Sequence, residues 1–141
     1  MKNLSIKFGC LLLFMIFLNF SCKDPTPVPV VSNLNFYTSI YTNNLIQVGG
    51  YEYFTGAIHG LVVYRIDMDN FSAFDRACSY DWQDGGYVSV NPSNSFQLIC
   101  GTCHSTFDII YGYPIGKVKA DAPLRSYKAT MVDDINLRVY Y

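Results

Sequence analysis

Between residues 100 and 108 the chain reads Cys100-Gly101-Thr102-Cys103-His104-Ser105-Thr106-Phe107-Asp108. Two thiols three residues apart, beside a histidine, sit in a stretch too short and too rich in Gly, Ser and Thr for a helix. A turn of this kind aims both sulfurs at one centre. It can hold a metal ion, close a disulfide or carry out thiol redox chemistry. Cys78 is the third thiol of the same region. An odd number of cysteines in a domain outside the cytoplasm favours metal ligation over complete disulfide pairing. There is no Ser/His/Asp arrangement, no Gly-rich phosphate cradle and no second set of metal donors. Any enzyme activity would need a partner to supply the substrate site, so the chain reads as a carrier or accessory protein rather than a catalyst.

The elements that must position these thiols are strands. From residue 33 onward Tyr, Phe, Val and Ile dominate, broken about every ten residues by Gly, Asn, Asp and Pro. Expected strands span 34–41, 45–48, 61–66, 71–75, 87–90, 96–100, 126–132 and 136–140. Turn residues separate them: Gly49-Gly50, Met68-Asp69-Asn70, Asp84-Gly85-Gly86, Asn91-Pro92 and Asp133-Asp134. The clearest hairpin is the last, where Tyr127, Ala129 and Met131 alternate with polar neighbours and Leu137, Val139 and Tyr141 do so again beyond Asp133-Asp134. No long 3.6-residue apolar period and no internal repeat is present. The pattern predicts an all-β antiparallel sandwich or small barrel, its many aromatic residues mostly facing inward.

The 141 residues suffice for one domain, residues 33–141, preceded by two short segments. Residues 1–21 read as a secretory signal peptide, with Lys2 and Lys7 before an apolar run from Phe8 to Phe20. That run is shorter than a membrane-spanning helix needs, and Asn19 interrupts it. Cys22 lies where a bacterial lipoprotein would carry its lipid anchor, after Ser21 and near Leu18. The Pro-rich linker that completes residues 22–32 is extended, and at ~3.1 Å per residue it would hold the domain roughly 25–30 Å from the anchor. The expected location is therefore the cell envelope, periplasmic or surface, with membrane contact through the N-terminal lipid alone. Ten basic residues stand against eleven acidic ones, and loss of Lys2 and Lys7 leaves eight against eleven, a formal charge of −3. Such a surface has no basic stripe for nucleic acid.

Two stretches together resemble the Rieske iron–sulfur domain. The run from Gly60 through Arg65, then Phe71-Ser-Ala-Phe-Asp-Arg-Ala-Cys78-Ser-Tyr80, is similar to the strand pair and first cluster loop of that family. Cys100-x-x-Cys103-His-Ser-Thr-Phe107-Asp108 is similar to the second loop. Gly112-Tyr-Pro114 and Ala122-Pro123-Leu124-x-x-Tyr127 resemble the proline loop and return strand. The resemblance covers residues 58–141 and implies a Rieske-like antiparallel β-sandwich with two cluster-binding loops at one tip. It implies a 2Fe–2S cluster, one-electron transfer and a redox partner protein.

The ligand positions depart from the family's two cysteines and two histidines. Cys78 and Cys100 match the cysteines, Tyr80 stands at the first histidine position and Cys103 at the second. His104 falls one place further on, and Gly116-Lys117-Val118 replaces the usual Gly-Pro-Ala. The resemblance thus implies a metal set of Cys78, Tyr80, Cys100 and Cys103, with Asp81 or His104 as alternatives for the fourth ligand. Three outcomes fit these residues: an iron–sulfur cluster, a single zinc or iron ion, or a metal-free scaffold in which Cys78 pairs with Cys100 or Cys103. The last would make the chain a binding or structural module of the envelope. Gly101, Thr102 and Ser105 are expected to hydrogen-bond the sulfurs, Asp108 and Ser105 to support the loop, Trp82 to shield the pocket, and His59 to be a turn or surface residue.

Overall fold

The computed structural model describes residues 26–141; the signal segment and Cys22 lie outside the described residues. Among the described residues, nine strands form two antiparallel sheets. They are β1 (Asn35–Ser39), β2 (Tyr51–Phe54), β3 (Leu61–Arg65), β4 (Phe71–Asp75), β5 (Val88–Asn91), β6 (Asn94–Cys100), β7 (Thr106–Asp108), β8 (Ser126–Met131) and β9 (Asn136–Tyr140). The larger sheet has the order β1-β9-β8-β4-β3-β2 and the smaller one β5-β6-β7. No helix among the described residues is long and apolar enough to cross a membrane.

The all-β expectation holds, with local differences. Residues 45–48 are not a strand: Asn43 caps a 3-10 turn over Asn44–Ile46, its side chain accepting from the Leu45 amide. An Asx cap of this type offers the backbone a local alternative to the ladder. Two short strands, β2 and β7, lie where none was expected. Many tyrosines also face solvent, including Tyr37, Tyr41, Tyr111 and Tyr113, rather than the core. Several exposed or edge rings carry cations instead: Arg138 stacks over Tyr37 and Tyr140, and Arg76 over Tyr53 and Tyr87. A phenol gains from such stacking while keeping its hydroxyl in water.

Every residue of β3 is buried, which explains its unbroken Leu-Val-Val-Tyr run. Leu61 and Val63 enter a core with Leu137, Val139 and Ala73, whereas Val62 and Tyr64 enter a second core between the sheets. That second core contains Phe74, Leu98 and Phe107, and it ends at Cys78, Cys100 and Cys103. The thiols are thus the polar end of an apolar interior.

Asp75, fully buried at the end of β4, ties three segments together. Its carboxylate accepts from the backbone amides of Ile58, His59 and Ala77. The loop before β3 and the exit toward Cys78 are therefore held by one side chain. Part of the proline segment also lies along the domain instead of standing clear of it. Val28 is buried, its carbonyl accepts twice from Arg125, and the Thr26 carbonyl accepts from the Trp82 indole.

Asp75→Ala would orphan three amides, a cost of about 3 kcal/mol after relaxation. In thermal unfolding followed by circular dichroism the midpoint is expected to fall by roughly 10 °C or more. Asp75→Asn keeps one acceptor oxygen and is expected to fall by less; equal losses for both would remove the bonding account.

Candidate metal centre

The first of the two loops at the tip leaves β4 and turns back on itself. The Cys78 amide donates to the Gly86 carbonyl, and the Trp82 amide donates to the Cys78 carbonyl. A 3-10 turn over Trp82–Asp84 follows, ended by Gly85 in the left-handed region. Gly86 is required by close approach: a Cβ there would fall within 2 Å of Asp81 Oδ1 (1.9 Å). The missing side chain leaves the space in which the Asp81 carboxylate lies, pointed inward.

The second loop joins β6 to β7. The Cys100 amide donates to the Ser105 carbonyl and the His104 amide to the Cys100 carbonyl. His104 itself takes a left-handed backbone (φ 62°), and its side chain is exposed. The two loops are joined by the Gly101 amide, which donates to the Tyr87 carbonyl. A third segment clamps both. Ser79 Oγ donates to the Ala122 carbonyl (2.7 Å), and the Ala120 amide donates to Ser105 Oγ (3.0 Å).

These turns bring together Cys78, Asp81, Cys100 and Cys103, all buried, with one donor atom from each lying within 4.8 Å of all the others. Cys78 Sγ and Cys103 Sγ are 3.6 Å apart, and Cys100 Sγ is 3.4 Å from Asp81 Oδ1. Both close contacts run between loops. Tyr80, the residue expected as fourth ligand, is 43% exposed. His104 does not join the group. The fourth donor gathered by the fold is Asp81, which the sequence offered only as an alternative. The signal for it was spacing: Cys78-x-x-Asp81 repeats the interval of Cys100-x-x-Cys103. The family resemblance draws attention to the second residue after Cys78, whereas this turn presents the third.

The supporting residues divide in the same way. Asp108 accepts from the Ile110 and Tyr111 amides, as loop support requires. Ser105 Oγ accepts from the Cys103 thiol at 3.3 Å, and the Thr102 amide donates to the Cys100 sulfur. Gly101 spends its amide on Tyr87 instead. His59 is half-buried, its Nε2 2.9 Å from the Trp82 carbonyl, so it steadies the far end of the first loop.

Burial and mutual hydrogen bonds set the three thiols apart in acidity. Cys78 is held protonated, its pKa pushed far up because it donates to Cys100 and because it is buried. Burial, above all, also raises Cys103. Cys100 is lowered to about 6, chiefly because Cys78 donates to it. A protonated Cys100 would donate to Asp81, but the Cys78 hydrogen bond favours its thiolate. Cys100 Sγ and Asp81 Oδ1 lie 3.4 Å apart, a spacing at which both can reach one metal ion. Three thiolates and a carboxylate are a donor set suited to iron or zinc, so the residues present fit a metal centre.

No family model matches the chain, and no curated protein matches it. Solved structures do. A chain from the complex of reduced oxygenase and oxidized ferredoxin in carbazole 1,9a-dioxygenase is 16% identical with a TM-score of 0.52, over 74% of this chain and 92% of that one. The ferredoxin of carbazole 1,9a-dioxygenase from Nocardioides aromaticivorans IC177 is 23% identical with a TM-score of 0.47, over 82% and 97%. The Sphingomonas yanoikuyae B1 ferredoxin is 17% identical with a TM-score of 0.45, over 64% and 84%. Together with the strand order and the two-loop tip, the first of these likenesses gives the fold: an all-β, Rieske-like ferredoxin architecture of curled antiparallel sheets.

Proposed function

We propose that the protein is a one-electron carrier whose centre is a 2Fe–2S cluster held by Cys78, Asp81, Cys100 and Cys103. The observation that carries this reading is the convergence of three buried thiols and one buried carboxylate from two loops at the tip of the fold. Such a cluster, when bound, exchanges single electrons at iron. The chain's own residues do the rest. Leu98 and Phe107 back the pocket with apolar surface, and the Ser105 hydroxyl and Thr102 amide lie at the sulfurs, where hydrogen bonds tune potential. Gly101, Thr102 and His104 are exposed on the crest of the second loop, which leaves a redox partner protein room to approach. The ferredoxin-containing complex among the similar structures supports a role with such a partner.

A specific observation favours a second reading, a single tetrahedral ion such as zinc. Donors on one ion with bonds of about 2.0–2.3 Å stand about 3.3–3.8 Å apart, and both cross-loop contacts fall in that range. Anaerobic reconstitution with iron and sulfide decides between the two. Cluster absorbance with about two irons and two acid-labile sulfides per chain supports the electron carrier. Zinc without sulfide supports the single ion, and no metal under either condition overturns both. The apolar leader and the position of Cys22 support a place at the cell envelope by a lipid on that cysteine. The mass of the mature N-terminus tests it: an unmodified start would overturn the anchor.

Two further outcomes follow from the donor set. Neutral imidazoles are what raise Rieske potentials to about −150 to +300 mV, and anionic donors stabilise the ferric state. A redox titration is expected to place the midpoint below about −150 mV, and a value above about 0 mV would exclude the anionic set. Asp81→Ala, and Gly86→Ala by crowding the same carboxylate, are expected to weaken metal binding by about 10–100-fold. Tyr80→Phe should leave it unchanged; the reverse order would restore Tyr80 as ligand.

Metal loading should also release protons. Cys78 and Cys103 are held protonated and Cys100 is not, so binding near neutral pH displaces about two protons. Zinc affinity is therefore expected to rise with pH from about 6 to 9, and calorimetry in buffers of different ionisation enthalpy counts the protons. An affinity flat over that range would contradict the assigned protonation states.

A further inference from the structure

The four donors of the centre are not arranged evenly. Cys100 Sγ lies against Asp81 Oδ1 at 3.4 Å, and Asp81 is lodged in the space left by Gly86. Cys78 Sγ and Cys103 Sγ lie against each other at 3.6 Å. A disulfide bond is ~2.05 Å long, so the two sulfurs at 3.6 Å must close by about 1.5 Å to bond. Both come from loops pinned by backbone hydrogen bonds on either side, Cys78 through Gly86 and the second loop through Cys100 and Ser105. The sulfur–sulfur contact at 3.6 Å is thus one made across the loops, by Cys78 and Cys103. Cys103 keeps slight exposure (9%) while Cys78 has none, so a reagent from solvent meets Cys103 first.

We propose that Cys78 and Cys103 are a redox modification site: in the metal-free chain they form a reversible cross-loop disulfide, and this bond and metal binding exclude each other. The exclusion half rests on the metal-centre reading given above; the disulfide half does not. The oxidant is a small-molecule disulfide. Cys103, the more exposed of the pair, gives up its proton and attacks one of the reagent's sulfurs, forming a mixed disulfide and releasing one thiol. Cys78, losing its proton, then attacks Cys103 Sγ and releases the second thiol. Two protein thiols are oxidised and one reagent disulfide is reduced to two thiols, with the protons carried by the leaving groups. Only Cys100 and Asp81 then remain as donors at the tip, too few for a structural metal set. A thiol reductant reverses both steps and reopens the pocket.

The test uses the full chain, reduced and stripped of metal, then exposed to oxidised glutathione, with alkylation and peptide mapping. The expected product is a linked peptide pair containing Cys78 and Cys103, with Cys100 recovered as a free thiol. Cys100→Ser should give the same link and Cys103→Ser should lose it. A Cys100–Cys103 or Cys78–Cys100 link, or recovery of all three as free thiols, would overturn the site. In a parallel arm the chain is loaded with zinc, its content measured, and the same oxidant added. Oxidation is expected to slow by at least about tenfold, and the oxidised chain should take up no zinc. Equal rates with zinc bound would overturn the exclusion. A reduced chain that never takes up zinc would instead count against a zinc-binding centre, while the mapping arm still decides the disulfide.

Discussion

Four acids buried within 4.8 Å of one another set the terms for the tip of this fold. Three thiols and a carboxylate cannot all ionise in a low-dielectric pocket unless a cation joins them. The metal-free chain meets that constraint with protons, held on Cys78 and Cys103 and given up by Cys100. A metal ion meets it by replacing those protons. The proton pattern and the metal chemistry are therefore two answers to the same electrostatic demand. The close pairs are formed between loops, Cys78 with Cys103 and Cys100 with Asp81. Because these close pairs span the two loops, filling of the pocket by a metal ion would be coupled to closure of the tip.

The rest of the fold supplies rigidity at the places where that coupling needs it. Asp75 anchors the entrance to the first loop through three amides, and His59 and Thr26 hold the carbonyl and indole of Trp82 at its far side. The segment after β7 reaches back to both loops through Ala120 and Ala122. Gly112 allows this return: its φ of +76° suits glycine, and a Cβ would come within 2.6 Å of the Phe74 ring. The apolar core behind the thiols and the polar clamps around them thus form one continuous support.

Much of this was legible in the sequence because β-strands write themselves in alternation. The hairpin from Ser126 to Tyr140 pairs in the expected way, with Ala129 opposite Val139 and Met131 opposite Leu137. The strand expected over 61–66 forms as β3 and is buried on both faces. What failed was local: Leu45–Val48 has strand composition, but the Asn43 side chain captures the Leu45 amide and bends the backbone first. The strand β2, Tyr-Glu-Tyr-Phe, carries a charged residue and follows a double glycine, so its signal is weak without knowledge of the partner β3. At the site, the three sulfurs were legible from residue type. Asp81 was offered only as an alternative, because carboxylates are common in turns and it is the room beside Gly86 that turns this one inward.

The difference between Tyr80 and Asp81 shows how a family pattern and local geometry divide the work. A pattern fixes which loops approach each other; it does not fix which side chain of a loop points inward. Direction depends on the backbone between Cys78 and Gly86. There the Trp82, Asp84 and Gly86 amides fold back onto the Cys78 and Asp81 carbonyls. With those bonds in place the Asp81 carboxylate lies buried among the thiols, and Tyr80 is 43% exposed. A phenol suits an exposed place, where its hydroxyl meets water. A carboxylate suits the interior only beside groups able to share a proton or a metal, which Cys100 and its neighbours provide. The gathering of Asp81 with the three thiols therefore rests on this turn, which Gly85 ends in the left-handed region and in which Gly86 leaves room for the carboxylate.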